Sequence, residues 1–135
     1  MENNMFEDIS DIRKTRKKYN LHMFRSGIST FRELEEVEAH AFQDGALDRK
    51  QKELIGLAVG IANGCYGWIE YHVSSAADLG ASRDEILEAA AVALVIEGGN
   101  AQWPVRFVFK VLEDLEQTVK QEPKPKKPTD MASEG

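Results

Sequence analysis

The chain has 135 residues, 42% hydrophobic and 30% charged, which suits one globular domain with a single core and excludes a wholly disordered polypeptide. A net charge of −6 and a pI near 5.1 argue against nucleic acid as the main partner, because phosphate binding needs a basic surface. One cysteine cannot form an internal bridge, the longest apolar run (54–62) is too short to span a bilayer, and MENNMFEDIS lacks the marks of a signal peptide. The expectation is a soluble cytoplasmic protein with no membrane partner.

Residues 1–9 read as a lead-in, and Ser10-Asp11 can cap a first helix to about Phe24 with a thin apolar stripe of Ile12, Tyr19 and Met23. Its run Arg13-Lys14-Thr15-Arg16-Lys17-Lys18 reads as a solvated helix face. After Gly27, Thr30-Phe31-Arg32-Glu33 has the pattern of a capping box, opening a second helix with Phe31, Leu34, Val37, Ala41 and Phe42 on one buried face. Asp48 and Gln51 repeat that pattern for a third helix running through Glu53 to Asn63, apolar on nearly every side from Leu54 onward. Gly56 and Gly60 would let another backbone approach it closely. A fourth helix runs from Cys65 to about Leu79. Ser82-Arg83-Asp84-Glu85 opens a fifth, 85–97, and Gly98-Gly99-Asn100 leads to a sixth, about 101–119, with Val105, Val108, Phe109, Leu112 and Leu115 on its core face. From Lys120 the chain turns Pro- and Lys-rich, so the division is a helical domain over 1–119 and a disordered tail over 120–135. No strand-like alternation occurs, and the fold class is all-α, a six-helix bundle. Helices as apolar as the fifth need cover from more than one side, and a second copy of the chain is the natural source.

The chemistry concentrates in ELIGLAVGIANGCYGWIEYH, residues 53–72. Gly64 favours the left-handed turn that stops a helix, which puts Cys65 at the start of the next one, among unpaired amides that favour thiolate over thiol. Cys65, Trp68, Ile69 and His72 share one helix face. Two turns separate Cys65 from His72, roughly 10 Å along the axis, with Trp68 between them, so a direct bond is not expected. His72 can meet Glu53 if the preceding helix folds back alongside, and a carboxylate would then orient the imidazole.

The succession Gly45-Ala46-Leu47-Asp48, Lys52-Glu53-Leu54, Asn63-Gly64-Cys65, His72, Leu79-Gly80-Ala81-Ser82, Glu85-Ile86 and Gly98-Gly99 resembles the carboxymuconolactone decarboxylase and alkyl hydroperoxidase D superfamily. In the peroxidase branch the pattern is a glutamate, a Cys-x-x-Cys and a histidine four residues later. Glu53, Cys65 and His72 fall on three of those positions, and Trp68 stands where the second cysteine would be. The resemblance implies trimers, or hexamers built from them, and hydroperoxide reduction. With one thiol, a sulfenic acid on Cys65 would need an external thiol or dithiol, or a second subunit's Cys65, to resolve it. It also implies a runner-up, decarboxylase-type acid/base chemistry by His72 and Glu53 on a small lactone acid. A catalytically degenerate binding oligomer is the third reading. Cys65 as an inert thiol, His72 as a core histidine and Trp68 as a packing residue or a platform for a flat ligand remain the plain alternatives. No cofactor and no metal are expected, since one histidine with scattered carboxylates lacks ligand clustering.

Overall fold

A computed structural model describes residues 6–121; residues 1–5 of the lead-in and 122–135 of the tail lie outside the described residues. The elements are α1 (Ile9–Arg25), α2 (Ser29–Phe42), α3 (Arg49–Ala62), α4 (Tyr66–Asp78), α5 (Arg83–Glu97) and α6 (Gln102–Gln121), with a 3-10 turn at Gly98–Ala101. The described chain is thus all-α, and Lys120 and Gln121, expected in the tail, are the last residues of α6.

Capping explains where the helices begin. Asp48 Oδ1 accepts from the Gln51 amide at 2.7 Å while Gln51 Oε1 accepts from the Asp48 amide at 2.9 Å, and Ser82 and Glu85 exchange the same pair of bonds at 3.1 Å each. Two starts differ from expectation. Asp8, not Ser10-Asp11, caps α1, its Oδ1 accepting from the Asp11 amide at 3.0 Å. The box expected at Thr30–Glu33 does not form: Ser26 Oγ already serves this corner, accepting from the Ile28 amide at 3.2 Å, and α2 begins ahead of Thr30 with no side-chain cap.

The core lies where α3, α4, α5 and α6 meet. Leu57 and Ile61 of α3, Ile69, Val73 and Ala76 of α4, Ile86 and Ala90 of α5, and Phe107, Val108 and Val111 of α6 are all buried there. Each large aliphatic or aromatic side chain so buried contributes about 1.5–3 kcal/mol. On α6 the buried arc is Pro104, Phe107, Val108, Val111 and Leu112, the i, i+3, i+4, i+7, i+8 pattern. Phe109, expected on that face, falls off this arc and is exposed beside the Arg83 guanidinium.

Two expectations, for α2 and for the basic run of α1, are corrected. No residue of α2 is buried; Phe31 and Phe42 are half-covered, while Leu34 and Val37 face solvent because α2 packs only sparsely, mainly on α1 and α3. Ile55 and Val59 of α3 and Val92, Val95 and Ile96 of α5 are exposed on the single chain, so its own elements cover neither helix on every side. The basic run on α1 is more than a solvated face. Arg13 Nε and Arg16 Nη2 bond Glu70 Oε1 of α4 at 2.9 and 2.8 Å, and Arg13 Nη1 reaches Asp114 Oδ2 of α6 at 3.0 Å. Glu70 is 1% exposed, and a buried carboxylate with one guanidinium missing would carry a large desolvation cost. With Ile9 as its one buried residue, α1 is held to the bundle chiefly by these charges.

Candidate functional site

The site is built on the crossing of α3 and α4. Gly64 takes φ +64°, and the Cys65 amide donates back to the Gly60 carbonyl at 3.0 Å, so the chain reverses in a tight corner and α4 returns along α3. Gly60 sits 3.4 Å, by its would-be Cβ, from Cβ of Trp68, and a Cβ on Gly56 would come within 2.6–2.9 Å of three atoms of the His72 ring. The two glycines do let α4 approach, and at Gly56 what approaches is the imidazole itself.

Glu53 Oε2 lies 2.7 Å from His72 Nδ1, with the carboxylate 1% and the histidine 7% exposed. Glu53, one residue ahead of the apolar stretch that begins at Leu54, is itself buried. An ionised carboxylate only accepts, so the proton between them belongs to Nδ1–H, and the ring's other nitrogen carries the exchangeable chemistry. Among the described residues Nε2 has no hydrogen-bond partner. Arg49 Nε stands 3.8 Å from Glu53 Oε1, one turn back on α3, and supplies a half-exposed positive charge on the solvent side of the carboxylate.

Aromatic rings enclose the imidazole. Trp68 stacks on it at 5.6 Å between centroids and 23° between planes, Phe42 at 5.7 Å and 17°, and Tyr71 meets it edge to face at 5.3 Å and 81°. Trp68, 46% exposed, packs on the imidazole and lies as a cover over the ring. Phe42 and Tyr71 escaped the sequence reading. The signal for Phe42 was its place at the end of the apolar stripe on α2, and for Tyr71 only its adjacency to His72.

Cys65 is the N-cap of α4, in extended backbone, half-exposed, with no capping bond from its side chain. The sulfur therefore stands at the helix start, as expected from Gly64. His72 is not bonded to it: the imidazole takes Glu53, and Trp68, one turn from Cys65, covers the ring. Glu53, His72 and Cys65 thus belong to one corner of the fold, the first two in contact and the third at its rim. No three His, Cys, Asp or Glu side chains gather as a metal site among the described residues, and Glu53 and His72 spend their polar atoms on each other.

The model of the carboxymuconolactone decarboxylase family matches residues 29–112, from the start of α2 into α6. "Uncharacterized protein 4 in cox locus" of Paracoccus denitrificans is 37% identical over 75 residues, 56% of this chain and 68% of that protein. A carboxymuconolactone decarboxylase family protein of Legionella pneumophila, crystallised in its apo form, has 28% identity and a TM-score of 0.75 over 78% of this chain and 95% of its own. A Thermotoga maritima family protein, for which involvement in an antioxidative response has been suggested, has 30% identity and a TM-score of 0.75 over 82% of this chain and 93% of its own.

Proposed function

This chain belongs to the carboxymuconolactone decarboxylase family, and from that premise we propose that it is an antioxidant oxidoreductase reducing hydroperoxides through Cys65, with the Glu53–His72 pair handling the protons. The observation that carries this reading is the buried 2.7 Å bond between Glu53 and His72 Nδ1, which commits that nitrogen to the carboxylate, on an imidazole carried by the same helix that a half-exposed thiol opens. His72 takes the thiol proton through water, since Trp68 lies over the ring. The thiolate attacks the terminal oxygen of R–O–O–H; the S–O bond forms, the O–O bond breaks, and the alkoxide takes the proton from Nε2. Products are the alcohol and a Cys65 sulfenic acid, which two external thiols or one dithiol return to the thiol, releasing water and a disulfide. A reducing cytoplasm would supply such thiols. The antioxidative role suggested for the Thermotoga maritima neighbour supports the assignment.

In the test, hydroperoxide-dependent consumption of a small thiol or lipoyl dithiol is measured. Cys65→Ser is expected to lower the rate by at least about 10³-fold, as loss of a nucleophile does. Equal rates in the variant and the wild type would remove the redox reading.

A second reading is favoured by one observation: the imidazole's partners are a carboxylate and three aromatic rings, not a sulfur. The pair would then act as acid and base on a small carboxylated lactone, with Cys65 a bystander. That activity survives alkylation of Cys65, whereas hydroperoxide reduction does not.

The proposal extends to a homo-oligomer, a trimer or a hexamer built from two trimers, in which the exposed face of α3 and α5 meets another copy. Val95 and Ile96 are 83% and 76% exposed, and Leu34 and Val37 of α2 form a second uncovered face, so the chain carries two different apolar surfaces. Unlike surfaces pair head to tail, and rings close from such pairings. Val95→Glu is expected to yield monomers in light scattering; an unchanged mass would count against this interface.

A further inference from the structure

We propose that Arg16, on α1, is a positioning residue for the imidazole, acting through Tyr71 rather than through the ion pair that anchors α1. This rests on the reading of His72 as the group that moves protons. Arg16 makes three separate attachments to one segment of α4: Nη2 bonds both oxygens of Glu70 at 2.8 and 3.0 Å, Nη1 bonds the Gly67 carbonyl at 3.1 Å, and Cζ lies 5.2 Å from the centroid of the Tyr71 ring. Tyr71 in turn meets Trp68 at 5.8 Å and 85°, and His72 at 5.3 Å and 81°. It is the corner against which both stacked rings rest. A planar guanidinium combines carboxylate bonding with stacking on a ring face, which an ammonium does not reproduce. Fixing Tyr71 therefore fixes the Trp68–His72 stack and the direction in which Nε2 points.

Arg13 provides the control. It bonds the same buried Glu70 at 2.9 Å and adds Asp114 at 3.0 Å, with no bond to Gly67 and no ring contact among the described residues. Removing either arginine leaves Glu70 one cationic partner, so both variants weaken the anchoring of α1 while only one releases Tyr71.

The experiment compares Arg16→Ala, Arg16→Lys, Arg13→Ala and Tyr71→Leu in a Trp103→Phe background, where Trp68 is the remaining indole of two. Trp68 emission and anisotropy need no turnover, so they report on positioning even if the redox assignment fails. Arg16→Ala and Tyr71→Leu are expected to shift Trp68 emission alike and to lower its anisotropy, with Arg16→Lys failing to restore it and Arg13→Ala matching the parent. In turnover, Arg16→Ala is expected to lower kcat about tenfold with KM within about twofold, the mark of a misaimed group rather than lost binding. Equal shifts for Arg13→Ala and Arg16→Ala would reduce Arg16 to an anchor and overturn the proposal, as would a Tyr71→Leu variant indistinguishable from the parent. Should Arg16→Ala fail to fold, Tyr71→Leu against Arg13→Ala decides the same question.

Discussion

Glu53→Gln is expected to fold and to lose about 10²–10³-fold in kcat, the largest effect short of removing the thiol. The amide is isosteric and can still accept from Nδ1, so the imidazole keeps its place between Phe42 and Trp68. What disappears is the negative charge that stabilises the imidazolium while the proton is in transit. The bond itself changes from charge-assisted to neutral, a loss of about 1 kcal/mol, which thermal unfolding will register as a small drop. Steady-state turnover with saturating thiol measures the kinetic part. A variant as fast as the parent would mean that the buried pair is only structural.

Gly56→Ala should be the most damaging small change in the molecule. Alanine is the better helix former by about 0.5–1 kcal/mol, and at an open position it would stabilise α3. Here the added Cβ meets Cε1, Nδ1 and Nε2 of His72 at 2.6, 2.8 and 2.9 Å. The ring has nowhere cheap to go, since Glu53 holds one edge and Trp68 and Phe42 lie against it. Overpacking of this kind costs about 1–3 kcal/mol, so the net change is destabilising despite the gain in propensity. Displacing the imidazole also breaks its alignment, for a further loss of about 10²-fold in turnover. Denaturant unfolding separates the two effects, and in a His72→Ala background, itself destabilised by the stranded Glu53 carboxylate, adding Gly56→Ala should cost nothing further. A Gly56→Ala protein as stable as the parent would show that the ring moves freely.

Much of this site was legible in the chain. Gly64 as a helix stop and Asp48-Gln51 and Ser82-Glu85 as caps follow from short-range rules and each is present, whereas the bond between Glu53 and His72 was conditional on α3 and α4 folding back on each other, as they do. What was not legible depends on partners distant in sequence. Arg13 and Arg16 looked like a solvated run because their counter-charge, Glu70, lies more than fifty residues away and is itself unremarkable in sequence. Phe42 and Tyr71 could not be assigned to the imidazole because aromatic contact has no fixed spacing. The stripe on α2 was read correctly as apolar and wrongly as covered: periodicity shows which side of a helix avoids water, not whether the same chain shields it.

The near-contact between the bare backbone at position 56 and the ring at position 72 also constrains the evolutionary paths open to this chain. A side chain can be added at the first position only after the second has shrunk, so the two sites form an ordered pair of steps. A lineage that keeps the imidazole inherits the glycine with it, and one that abandons the chemistry is released from both.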